Sequence, residues 1–169
     1  MKEINTDVLV VGSGLVGLVA AHCLSSLNYK VTLVDKKSLI NSKNPFKDTR
    51  TVAMSEGSKI FLESLFLWNF LESYAEPIKN INVYDRSPRN KIFFNNKIKN
   101  KNLGYVIENK RLSYVLINQL NKFKNTKIQY DFDLIDIRLN DRNSAAFSNN
   151  TIINAKIIIA ADGKNSQIK

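Results

Sequence analysis

The chain has 169 residues, 44% of them hydrophobic, with 25 Lys and Arg against 15 Asp and Glu for a formal net charge of +10. That length and apolar fraction are enough for a buried core and for one domain or slightly more, which excludes a disordered protein. The lysines are scattered among asparagines and isoleucines instead of forming a stripe, so the charge reads as compositional drift and no nucleic-acid partner is expected. Residues 6–35 open the chain with an ordered unit. Val8 to Val11 form a short, continuous, β-branched run, the pattern of a parallel strand buried on both faces. Gly12, Ser13, Gly14, Leu15, Val16 and Gly17 then spell G-x-G-x-x-G at the mouth of a helix with Val16, Ala20, Leu24 and Leu27 at helical spacing. A second strand over 30–34 ends on Asp35.

Each residue type in that unit has a physical task. Gly12 permits the tight turn out of the strand, Gly14 admits a pyrophosphate close to the backbone, and Gly17 lets the helix lie near the sheet. The amides of Leu15 and Val16 belong to the positive helix end that receives phosphates. Asp35, 23 residues after Gly12, stands where a carboxylate accepts the hydroxyls of an adenosine ribose and repels a ribose 2′-phosphate. Lys36, directly after it, is counted with it among the cofactor-binding residues. The unit predicts dinucleotide binding.

Cys23 falls inside the first helix and is read as packing; as the only cysteine it excludes an internal disulfide and a multi-cysteine metal site. His22, the only histidine, is read as structural, and no metal is expected. No export signal precedes the first strand and no apolar run approaches ~18 residues, so the expected location is cytoplasmic. Residues 36–47, with Pro45, read as a surface loop. Ser55 is placed to cap a helix whose first turn holds Glu56 and whose apolar face is Ile60, Phe61, Leu65 and Phe66. Arg50, just ahead of it, suits a phosphate, a carboxylate or a surface salt bridge. Trp68, Phe70 and Leu71 read as core or as cover for a core.

From Ile81 the period shifts toward two. Ile81 and Val83, a turn at Pro88, Ile92 to Phe94 and Tyr105 to Ile107 predict antiparallel strands in a sheet separate from the first. The patch of Lys97, Lys99 and Lys101 reads as a solvated loop. Residues 109–123 return to helix with Leu112, Val115, Leu116 and Leu120 inward, and 127–130 form a short strand. Residues 133–155 predict a small β-meander with a polar turn around 140–143. A buried strand over 156–161 runs into Asp162, Gly163, Lys164, Asn165 and Ser166.

An N-terminal glycine fingerprint together with a strand ending in Ala-Ala-Asp-Gly-Lys-Asn-Ser resembles the FAD-dependent aromatic hydroxylases, the class A flavoprotein monooxygenases. The intervening segments DTRTVAMSEGSKIFLESLFLW, PIKNINVYDR and LGYVIENKRLSYVL are similar, in order and spacing, to the hydroxylases of ubiquinone biosynthesis, and the resemblance covers nearly the whole chain. It implies an α/β fold: a Rossmann-like FAD-binding domain of the glutathione-reductase and aromatic-hydroxylase type, with residues 80–107 starting an antiparallel substrate-side sheet. It implies FAD contacts at Arg50, near the pyrophosphate, at Asn109, near the ribityl chain, and at Asp162 and Gly163, beside the flavin. The family pattern closes with Arg where this chain has Lys169, which loses a bidentate fork.

By the same resemblance NAD(P)H is the expected co-substrate, dioxygen the oxygen source and a polyprenylated phenol the ring that is hydroxylated. The cofactor carries the hard chemistry, and no side chain is assigned as acid, base or nucleophile. A hydroxylase of a soluble aromatic acid and a non-catalytic FAD-binding or assembly module remain open as alternatives, as does peripheral association with the inner membrane or a ubiquinone-biosynthesis complex. The family carries a further Gly-Asp motif and the rest of its substrate sheet beyond the length seen here. The chain is therefore expected to be an N-terminal part that holds cofactor without the groups that close over the flavin.

Overall fold

The computed structural model describes residues 1–37, 49–84, 91–95, 102–140, 143–164, 166 and 168. Pro45, Pro88, the Lys97 to Lys101 patch, Asn165, Lys169 and part of the turn around 140–143 lie outside the described residues. In chain order the elements are β1 (Lys2–Val11), α1 (Leu15–Ser26), β2 (Val31–Val34), β3 (Thr51–Ser55), α2 (Glu56–Ser64), β4 (Glu76–Ile78), β5 (Asn80–Tyr84), β6 (Lys91–Asn95), β7 (Gly104–Glu108), α3 (Asn109–Leu120), β8 (Thr126–Gln129), β9 (Asp136–Arg138), β10 (Ser144–Phe147) and β11 (Thr151–Ala160). They fall into two compact units, residues 1–47 with 113–169, and residues 48–112.

The first unit is built on a six-stranded sheet in the order β8-β2-β1-β11-β10-β9. The strands β8, β2, β1 and β11 are parallel, and β10 and β9 extend the sheet antiparallel from β11. Val8 to Val11 are at most 6% exposed and Val31, Leu33 and Val34 are fully buried, as a parallel strand covered on both faces requires. Leu9, Val11, Val34, Phe132, Ala146, Ile153 and Ala155 gather into one apolar cluster against which Leu134 and Ile137 pack. Each large side chain so buried contributes about 1.5–3 kcal/mol. The register sets the ends of the central strands level: Val11 lies beside Val34 and Ala160, and Val34 beside Gln129. The residues that follow those four, Gly12, Asp35, Ala161 and Tyr130, therefore leave the sheet along one edge.

The apolar stripe expected on α1 is corrected. The helix buries Gly17, Leu18, Ala21, His22 and Ser25, whereas Val16 is 74% and Leu27 63% exposed. The cause is Gly17: a Cβ there would collide with the Gly12 carbonyl and come 3.3 Å from the Ala161 Cβ, so only this residue can face the loop. Once it does, the positions one and two turns on must point inward as well. The Ser25 hydroxyl donates to the Ala21 carbonyl at 2.7 Å and accepts from the Thr126 hydroxyl at 2.6 Å, which ties α1 to β8. His22 is 5% exposed and meets Phe123 edge-on at 5.0 Å; burial holds its pKa below the ordinary value.

In the second unit the antiparallel strands divide into two sheets, β3-β7-β4 and the ribbon β5-β6, where the periodicity alone had suggested one group. Ser55 caps α2, its hydroxyl accepting the Ser58 amide at 3.1 Å, with Glu56 in the first turn. The face expected on α2 is also corrected: Leu62 is buried, while Ile60, Phe61 and Phe66 are 57%, 48% and 79% exposed. Trp68 and Leu71 are buried, and Trp68 meets Tyr105 edge-on at 4.8 Å. The stripe on α3 is as read from the sequence, with Leu112, Val115, Leu116 and Leu120 all buried. Among the described residues no helix is long and apolar enough to cross a membrane.

Candidate cofactor site

The glycine loop between β1 and α1 is shaped by contacts that exclude side chains at two of its three glycines. Gly12 adopts φ +105°, a conformation L-residues avoid, and a Cβ there would strike the Ala161 carbonyl; Gly17 is closed by the Gly12 carbonyl. Gly14 is different. Its φ is ordinary at −61°, and a Cβ built on it meets nothing within 4 Å. The bare backbone at Gly14 thus borders open space. No side chain caps the start of α1 and its first turn contains no acidic residue, so the amides and positive end of the helix are available to an anion.

Asp35 stands beside this loop and its carboxylate is already oriented. Oδ2 accepts the Ser13 amide at 2.6 Å and the Ser13 hydroxyl at 2.7 Å, and Oδ1 accepts the Lys37 amide at 2.9 Å. The Asp35 backbone is fixed as well, its N–H donating to the Gln129 carbonyl at 3.1 Å and its carbonyl accepting the Phe132 amide at 3.1 Å. Lys36 pairs with the exposed Asp133 carboxylate at 3.1 Å. At the end of β11, Ala161 donates to the Val11 carbonyl at 2.8 Å, which brings Asp162 and Gly163 to the same sheet edge as Gly12. Gly163 has φ +82°, so the Asp-Gly step is a left-handed turn that favours glycine. Among the sequence candidates the first unit therefore gathers Gly12, Gly14, Leu15, Val16, Gly17, Asp35, Asp162 and Gly163.

The second unit joins the other two. The Asn109 amide donates to the Arg50 carbonyl at 3.0 Å, continuing the ladder in which Thr51 faces Glu108. The Asn109 side-chain oxygen is buried without a hydrogen-bond partner, an acceptor that costs about 1–3 kcal/mol if left so. Sequence reasoning missed Ser13, whose position inside the glycine fingerprint marks it only as a variable residue. It also missed Tyr130, across from Asp35, whose hydroxyl is buried without a partner. Burial, and secondarily the Asp35 charge, push the Tyr130 pKa upward. Among the described residues no cluster of His, Cys, Asp and Glu is disposed to hold a metal ion.

A glycine loop at the end of a first parallel strand, an acid at the end of the second and an Asp-Gly turn at the end of a third define a dinucleotide-binding fold of the Rossmann type. The family model described as "FAD binding domain" matches residues 5–169, and the chain belongs to that family. It is similar to the ubiquinone hydroxylase UbiM of Neisseria meningitidis serogroup C, 27% identical over 174 residues, covering 99% of this chain and 38% of that protein. It is likewise 26% identical over 174 residues to the 3-demethoxyubiquinol 3-hydroxylase of Escherichia coli K12, covering 100% of this chain and 44% of that one. The chain thus spans about two fifths of these relatives' length. Among solved structures it resembles the p-nitrophenol 4-monooxygenase PnpA of Pseudomonas putida, with a TM-score of 0.79 at 19% identity over 99% of this chain and 43% of that chain. FAD is the cofactor this fold family implies, and the open cradle at Gly14 and the uncapped helix start suit it.

Proposed function

We propose that the chain is the FAD-binding part of a monooxygenase that hydroxylates the ring of a polyprenylated phenol in ubiquinone biosynthesis, with NAD(P)H as reductant and dioxygen as oxygen donor. The observation that carries this reading is similarity along the whole chain to proteins named as ubiquinone hydroxylases. In it, the amides of the Gly14 to Gly17 turn receive the FAD pyrophosphate and Asp35 accepts an adenosine ribose hydroxyl. Arg50 neutralises phosphate charge, Asn109 satisfies its buried oxygen on the ribityl hydroxyls, and Asp162 with Gly163 borders the flavin. The bound flavin supplies the redox chemistry, and the protein orients it and keeps water from the ring. Residues 80–107 begin the substrate-side sheet, and residues 133–155 form the meander of the cofactor domain. The protein works in the cytoplasm, and its water-insoluble substrate favours contact with the inner membrane or with partner enzymes of the pathway.

The test is the flavin absorbance of the purified protein, followed by FAD titration of two variants. Asp35→Ala is expected to weaken FAD by about 1–3 kcal/mol, the worth of a hydrogen bond to a charged group. Gly14→Val is expected to weaken it further, at least about tenfold, because a Cβ there meets no protein atom within 4 Å and enters the open cradle, with only a small fall in the thermal midpoint from a poorer helix cap. Colourless protein that takes up no FAD but binds NAD would overturn the assignment.

A further inference from the structure

We propose that Ser13 is a positioning residue for Asp35: its hydroxyl locks the carboxylate so that one oxygen belongs to the glycine loop and the other receives the adenosine ribose. The inference rests on the FAD reading and deepens it. A carboxylate oxygen has two lone-pair sites. On Oδ2 both are taken by Ser13, through its amide at 2.6 Å and its hydroxyl at 2.7 Å. On Oδ1 one is taken by the Lys37 amide at 2.9 Å, which leaves one for a further donor among the described residues. Ser13 is itself fully buried, so its hydroxyl is held in place and does not exchange the carboxylate for water.

The backbone of Asp35 is pinned on both sides by Gln129 and Phe132, so the side-chain torsions are the remaining freedom. The Ser13 amide on Oδ2 and the Lys37 amide on Oδ1 set the plane of the carboxylate. The Ser13 hydroxyl adds a second donor to Oδ2, which fills that oxygen and holds it against the glycine loop. A ribose hydroxyl then meets an acceptor already aimed, with no rotamer entropy lost on binding. The same arrangement leaves no room in the carboxylate's hydrogen-bonding capacity for a second ribose hydroxyl on Oδ2, which makes Asp35 a reader of a single hydroxyl.

The experiment compares two probes, ADP and 2′,3′-dideoxy-ADP, by calorimetric titration of the full chain, the Ser13→Ala and Asp35→Ala variants and the double variant. Ser13→Ala is expected to weaken ADP roughly three- to tenfold, the worth of one hydrogen bond, and to leave dideoxy-ADP unchanged. In the Asp35→Ala background the serine substitution is expected to have no further effect on ADP. Unchanged binding of dideoxy-ADP also reports that the variant is folded; if Ser13→Ala does not fold, Ser13→Gly makes the same comparison with the amide retained. Equal weakening of both probes would mean that Ser13 acts on the phosphates and would overturn the proposal, as would additive effects in the double variant. If Asp35→Ala weakens ADP and Ser13→Ala does not, the positioning role fails and the FAD reading stands. If the unmodified chain binds neither ADP nor FAD, that reading fails and the proposal with it.

Discussion

The β1 strand and the β5-β6 ribbon are both written in apolar, strand-forming residues, yet the protein treats them in opposite ways. Val8 to Val11 are at most 6% exposed, sandwiched in a parallel sheet. In the ribbon, Ile81 stands opposite Phe94 and Val83 opposite Ile92, so these four share one face, and each is 42% to 58% exposed. Local sequence chose the strand conformation in both places. What differs is the neighbourhood: β1 is flanked by β2 and β11 and covered by α1, whereas among the described residues β5 and β6 pair only with each other. A two-stranded ribbon has no second layer of its own to bury against. Strand propensity decides shape, and only the supply of neighbours decides burial.

The strongest way to break the buried side of this comparison is Gly17→Val. Its Cβ would sit on the Gly12 carbonyl, and neither backbone can yield without parting α1 from β1. We expect a loss of at least about 3 kcal/mol, a large share of a typical domain's 5–15. Thermal or urea unfolding measures it. A near-native midpoint would show that α1 does not depend on this close approach.

The same contact explains how far the sequence could be read. The strand, glycine turn, helix and acid were legible because each step is local, whereas Asp162 was named only through the family resemblance. The rotation of α1 was not, because a stripe of Val16, Ala20, Leu24 and Leu27 is as regular as the one the helix buries; Gly17 chooses between them through a contact with Gly12 and Ala161. Ser13 was hidden for a related reason. Its bonds to Asp35 cross 22 residues and exist only once Val11 and Val34 lie side by side. The exposure of the ribbon depends on strands that do not flank it, which no alternation pattern within 80–95 encodes.

A smaller effect on the buried side comes from His22. Its pKa is lowered from 6.5 by burial, so the folded protein binds this proton less readily than the unfolded chain. Stability from the neutral imidazole is therefore complete above about pH 6.5 and is lost as the pH falls from there toward the folded value, with a slope of at most about 1.4 kcal/mol per pH unit. Thermal midpoints taken between pH 7.5 and 5.5 are expected to fall in the parent chain and to fall less in His22→Leu. Parallel curves would assign the acid sensitivity to other groups.

The smallest effect is expected on the exposed side. Replacing Ile92 and Phe94 by threonine keeps residues that favour strands and removes apolar area that solvent already reaches at 58% and 50%. Because so little burial is forfeited, each substitution is expected to change stability by no more than about 0.5 kcal/mol, while reducing an apolar face that invites association. Denaturant unfolding read together with sedimentation separates the two consequences. A loss above about 2 kcal/mol that grows with protein concentration would mean that the ribbon is covered in solution by a second copy. The contrast with β1 would then be one between two buried strands, one covered from within the chain and the other from outside it.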